Sequence, residues 1–199
     1  MNTILISFSA TAVAVFGIYF KLQSFIFMPV FGLVTAMISI VAFNYGARDR
    51  HRVTAVIRIG ALIASTIMIV GMTIFQVAPR MLLELFDASP DMLAIGMKAL
   101  RRISLHFPLA AIAITLSSSF QAMGKGMYSL MMSLVRQLVF LLPASYLLSQ
   151  VWGLDTLWYA FLLSEVASIT MSLFMFRHIY HTKIKHLGAD QESPMLSRG

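Results

Sequence analysis

Arg136 and Glu165 each stand near the centre of a long stretch otherwise free of charge, residues 127–150 for the arginine and about 156–176 for the glutamate. At a helix rise of about 1.5 Å per residue, Glu165 would lie roughly 15 Å beyond Asp155, deep in an apolar medium. An unpaired charge there is costly, so each side chain must face other protein or water. Adjacent antiparallel segments would let the two meet, and the pattern predicts that Arg136 and Glu165 approach one another. Such a pair is either a structural ion pair, with a snorkelling side chain as the other bland reading, or a site where Glu165 takes up and releases a proton or a cation.

Other candidates offer weaker chemistry. His106, beside Pro108 near the outer end of its apolar run, is of the type that titrates closest to neutral pH, but at that place it reads as an interfacial or a hydrogen-bonded histidine. Met28, Phe31, Met37, Met123, Met131 and Met132 form a Met-rich set. Their flexible, polarizable side chains suit a promiscuous apolar cavity as well as lipid contact or core packing. His178 and His181 lie three apart near His186, without the Glu of a metalloprotease pattern and without any Cys, so no metal site is expected. The absence of cysteine also removes disulfides and a thiol nucleophile, and no Ser, His and Asp spacing indicates a hydrolase. The chain does not read as an enzyme.

The elements that position these residues follow from composition. Apolar residues make up 59% of the 199 and charged ones 12%, where a soluble domain carries about 25% charged residues. Charge-free runs repeat along nearly the whole chain, so lipid must cover the exterior. The net charge of +7 would raise nucleic-acid binding in a soluble protein, but here the basic residues collect between apolar runs. That distribution fits anionic phospholipid at span ends, and nucleic acid is discarded as a partner.

A spanning helix needs about 20 predominantly apolar residues. Residues 2–43 are about twice that length, broken by Lys21, Gln23 and Pro29. They form either two spans turning near Lys21, or a short helix to about Ser9 and then one long helix kinked at Pro29, with Ser9 or Thr11 as its cap. The residues leave both open. Met1, Asn2 and Thr3 carry no positive charge, so the first run reads as structure and not as a signal peptide. A surface loop follows over residues 44–52, where Gly46 can end the helix. The next span runs over residues 53–78 and closes at Pro79 and Arg80. The acidic stretch 84–91 must lie in water, and Ser89 can cap the helix after it. Residues 92–102 read as an interfacial amphipathic turn leading into a span over 103–123. Gly124, Lys125 and Gly126 break the chain before the two spans that carry Arg136 and Glu165. Residues 1–187 thus form the bundle, and residues 188–199 a polar tail expected to be disordered.

Alternating the loops puts nine Lys and Arg on the side of residues 44–58, Lys125 and the C-terminus, against five on the other. The nine-residue side, and with it the C-terminus, is expected to be cytoplasmic.

The run MPVFGLVTAMISIVAFNYGARDRHRV, residues 28–53, resembles the segment at which a helix of a multidrug and toxic compound extrusion (MATE) transporter leaves the membrane into an Asn-Tyr-Gly-Ala loop, here Asn44, Tyr45, Gly46 and Ala47. The run SSFQAMGKGMYSLMMSLVRQLVFLLPASYLL, residues 118–148, is similar to the family's Phe-Gln-x-x-Gly turn and the span after it. The resemblance covers residues 2–186 and implies twelve spans in two lobes for the whole transporter, of which this chain looks like the second. It implies an all-α polytopic bundle of five complete spans behind a short remnant, with residues 2–9 ending one helix and 11–44 forming one long helix. The implied function is that of half a secondary-active multidrug antiporter of the plasma membrane, incomplete without a first lobe or a second copy. Small lipophilic or cationic compounds would be its cargo and H+ or Na+ its coupling ion, with no other cofactor. Gln121, Arg136 and Glu165, with Met28 and Phe31, are the expected pathway residues. The acidic residue that the family often uses in its first lobe has no counterpart here, and the first three spans hold no acid. The rival readings are a non-transporting membrane fragment and a related flippase of lipid-linked oligosaccharides.

Overall fold

The first break in the chain falls at Ser9, whose extended backbone and side-chain oxygen, 3.0 Å from the Ala12 amide, start a helix. In the computed structural model, which describes residues 1–185 and 187, this separates α1 (Asn2–Ile6) from α2 (Ala10–Gly46). The two-span division of this region is not realised, because α2 runs unbroken through Pro29 for 37 residues. At about 1.5 Å per residue it is about 55 Å long, well beyond the roughly 30 Å of bilayer hydrocarbon.

The Asn-Tyr-Gly-Ala stretch is not the loop it was expected to be. Asn44, Tyr45 and Gly46 form the last turn of α2, and only Ala47, Arg48 and Asp49 stand between α2 and α3 (Arg50–Val77). Asn44 is buried and its Nδ2 donates to the Ile40 carbonyl at 2.8 Å, so its amide needs no water. The reversal is made by Arg48 at φ 58°, with its amide on Tyr45 and the Asp49 amide on Asn44, at 3.1 and 3.0 Å. Gly46 therefore ends the helix without supplying the left-handed residue. Asp49 then caps α3 by accepting from the Arg52 amide at 2.9 Å.

Down α3 the buried positions are Val53, Ile57, Gly60, Ala64, Met68, Gly71 and Phe75, a step of three or four residues that makes one stripe. The stripe packs on α2 and α6. A Cβ on Gly60 would come 2.7 Å from the Met37 sulfur, and one on Gly71 would run into Ile26. Between stripes, Leu62 and Val77 lie 67% and 77% exposed, apolar residues facing outward as lipid requires.

A short helix, α4 (Pro79–Glu84), leads to α5 (Pro90–Ser104), which Ser89 caps at the Met92 amide. The expected amphipathic turn and span are in fact two helices, α5 and α6 (Phe107–Ala122), meeting at a 46° bend. Pro108 explains the bend: it has no N–H for the Ser104 carbonyl, and its ring crowds that carbonyl. α5 buries Gly96, Ala99, Leu100 and Ile103 in the core and carries Arg101 and Arg102 in its last turn, so its apolar face packs on the bundle.

Gly124 at φ 72° turns the chain into α7 (Gly126–Leu134), a π-helical segment (Val135–Leu141) and α8 (Leu142–Trp152), one continuous rod. Pro143 again withholds a donor, here from the Val139 carbonyl, and the ladder over Val135–Leu141 relaxes to i→i+5 bonds. Gly153 at φ 77° leads to α9 (Leu154–Leu157), α10 (Ala160–Ile179) and a second π segment (Tyr180–Ile184). Four continuous rods and the bent pair are long and apolar enough to make five spans, behind the short α1.

Polar contacts sort the two ends of the bundle. At one, Arg50 donates to the Tyr180 hydroxyl at 2.7 Å and lies over its ring. At the other, Lys98 and Arg102 both engage Asp155, and Lys21 lies over the Phe86 ring. The expected tail from residue 188 onward, with His186, lies outside the described residues.

Candidate functional site

Arg136 sits in the first π segment and Glu165 one and a half turns into α10, where the two rods pack together. Nη1 of Arg136 donates to Oε1 of Glu165, the meeting expected from the two apolar runs. The partners are unequally buried. Glu165 is 2% exposed, whereas the Arg136 side chain is 37% exposed and opens onto space. The second carboxylate oxygen, Oε2, is buried and makes no hydrogen bond among the described residues. The hydroxyl of Tyr19 on α2 is buried and unpartnered as well. Its ring lies 5.8 Å from that of Phe161, one turn before Glu165. An orphan donor and an orphan acceptor thus flank one ion pair, each carrying an unmet desolvation cost.

Two cavities open beside the pair. The larger, about 460 Å³, runs between α2, α6, α7 and α10 and is lined by Gln121, Arg136 and Phe31 among others. The smaller, about 280 Å³, is lined by Phe16, Phe20, Gln137, Ser164 and Glu165. Gln23, His106 and Arg136 line both, and so form the wall between them.

Of the two readings of His106, the hydrogen-bonded one is realised. It occupies the bend between α5 and α6 and is buried, with Nδ1 2.5 Å from the Ile103 carbonyl and its ring 5.8 Å from Phe161. A carbonyl only accepts, so Nδ1 carries the shared proton. The bend at Pro108 is what draws this histidine inward.

Of the other expected residues, Gln121 donates to the Ser129 hydroxyl at 2.7 Å on the wall of the larger cavity. Met28 lines neither cavity and is 68% exposed on the outer face of α2. One residue is about 100° of helical turn, so Phe27 facing in puts Met28 facing out. Met37 and Met123 are core residues beside Phe120 and Ile179, Met132 is buried with them and also lines the larger cavity, and Met131 faces out. Asn44, Tyr45, Gly46 and Ala47 lie at the Arg50 end and line neither cavity. Gln23, Tyr19 and the serines of the cavity walls carried no signal as single residues. The four-residue step of Ser164, Ser168 and Ser172 along α10, all buried, is the pattern that marks its polar face.

The MatE family model matches residues 1–147. The chain is 23% identical over 175 residues to the multidrug export protein MepA of Staphylococcus haemolyticus, covering 88% of this chain and 38% of that protein. It is 25% identical to the probable multidrug resistance protein NorM of Thermotoga maritima, with the same two coverages. Among solved structures, a MOP superfamily transporter from Pyrococcus furiosus superposes with a TM-score of 0.84 at 22% identity, over 94% of this chain and 42% of that one. The Vibrio cholerae MATE transporter VcmN in its bent form gives 0.85 at 18% identity, over 91% and 41%. The chain spans well under half the length of these relatives. With a family model matched over most of the chain and a bundle of apolar spans to carry it, this is a multi-pass membrane protein that belongs to the MATE family of multidrug efflux transporters.

Proposed function

We propose that the chain forms the second lobe of a secondary-active antiporter in the plasma membrane, which exports small lipophilic compounds, cationic ones among them, against H+ or Na+. The observation that carries this reading is the Arg136–Glu165 pair at the junction of two cavities. Glu165 is the one acidic side chain buried inside a span among the described residues, and its Oε2 holds lone pairs that nothing uses. A proton or a cation arriving there competes with Arg136 for the carboxylate. The released guanidinium has room to move in the larger cavity, so occupancy of Glu165 changes the wall that a substrate meets.

Alternating access rocks one bundle against another about a midplane site. The second bundle is a first lobe or another copy of this chain, and the inner face that bears the larger cavity is the surface that would meet it. The Arg50 end, which gathers the larger share of Lys and Arg, faces the cytoplasm together with the C-terminus.

The test is efflux of a lipophilic cationic dye from proteoliposomes under an imposed H+ or Na+ gradient, with the chain joined to the first lobe of a family relative. Glu165→Gln is expected to lower gradient-driven efflux at least about tenfold while the protein still inserts. Undiminished, gradient-driven efflux by that variant would remove Glu165 from the coupling mechanism.

A further inference from the structure

The larger cavity carries charge of a single sign. Among the described residues Arg136 is the charged side chain on its wall, and no carboxylate lines it. Glu165 opens onto the smaller cavity instead. The other acidic residues described, Asp49, Glu84, Asp87, Asp91 and Asp155, lie in loops or at the ends of helices. A molecule in the larger cavity therefore meets the guanidinium face of the ion pair, with the carboxylate behind it.

That face has donors to spare. A guanidinium offers five N–H groups, and among the described residues Arg136 bonds only to Glu165. Gln23, Ser118, Ser133 and Ser168 share the cavity wall and make no side-chain hydrogen bonds among the described residues. Phe27 and Phe31 supply apolar surface beside them.

We propose that this cavity binds lipophilic compounds that carry an oxyanion, whether carboxylate, sulfonate or phosphate and including zwitterions, with Arg136 holding the anionic group. Each of these oxyanions can present two oxygens to the fork of a guanidinium. Because Arg136 can bond Glu165 and a ligand through different N–H groups, binding does not require the pair to break. The proposal rests on the reading of this lobe as a substrate-handling one and narrows its substrate class. The cationic end of a zwitterion finds no carboxylate in this cavity.

The natural chain has no cysteine, so Ser133→Cys provides a single thiol on the cavity wall. In the full chain in nanodiscs, its reaction rates with an anionic sulfonatoethyl and a cationic trimethylammonioethyl methanethiosulfonate are compared, each normalised to free 2-mercaptoethanol. The normalised ratio is expected to favour the anion by about tenfold and to fall to near one in Arg136→Gln/Glu165→Gln. A ratio favouring the cation overturns the proposal, and this wild-type measurement decides alone if the double variant does not insert. In a second arm, naphthalene-2-sulfonate should slow labelling and its trimethylammonium counterpart should not. Equal or better protection by the cation sinks the charge class while leaving a substrate cavity, whereas protection by neither removes the cavity from the substrate reading as well. Protection by phosphatidylglycerol or phosphatidylcholine in the nanodisc, absent with the uncharged digalactosyldiacylglycerol, places the oxyanion on a lipid headgroup and supports the same chemistry.

Discussion

The contact between α2 and α3 and the seam between the first π segment and α10 hold the same bundle together with opposite materials. In the first, glycines let two long helices close on each other, with Gly60 against Met37 and Gly71 against Ile26. In the second, a buried carboxylate meets a guanidinium, serines line the helix face, and cavities remain on both sides. Lipid offers no hydrophobic driving force between helices, so a dry contact holds by close fit alone. A contact containing a charge holds by pairing, and tolerates voids that the dry one cannot. The lesson is that the loosely packed seam is the one equipped to change.

The sharpest way to break this contrast is to unpair the charge. Arg136→Met leaves Glu165 buried alone and should destabilise the protein by about 3 kcal/mol, the lower end of the range because Arg136 is partly open to a cavity. Arg136→Met/Glu165→Met should recover most of that loss, read as melting temperature in detergent. If the single variant melts as the wild type does, the seam is not held by pairing.

A smaller effect is expected from overfilling the dry contact. Gly71→Leu has no space beside Ile26 and should cost about 2 kcal/mol, with no rescue by any polar change in the other seam. A Gly71→Leu protein that melts at the wild-type temperature would mean that the α2–α3 fit is loose.

The smallest effect tests whether the hydroxyls of the polar seam are glue. Ser172 donates to the Ser168 carbonyl of its own helix at 2.7 Å, so Ser172→Ala should cost no more than about 0.6 kcal/mol. A loss as large as that of Arg136→Met would show that serines, and not the ion pair, join the rods.

Much of this was legible in the chain. Ser9, Asp49 and Ser89 mark helix starts because a small polar side chain before an apolar run can satisfy open amides, and the first and last were readable as such. The meeting of Arg136 and Glu165 was readable because two charges in lipid have few other remedies. The depth of burial of His106 was not, because the basic residues of α5 just before it imitate the end of a span. The π segment was hidden as well, since Pro143 predicts trouble in a helix without saying which repair is chosen.

Sequence by itself determined the solvent and the presence of two charges that had to find each other. Only the tertiary structure decided which apolar faces meet protein and which meet lipid, turning Met28 out and Met37 in on the same helix. The physical reason is that lipid tails and core side chains are equally apolar. Hydropathy, which in a soluble protein separates inside from outside, is silent here, and close fit at Gly60 and Gly71 makes the choice instead.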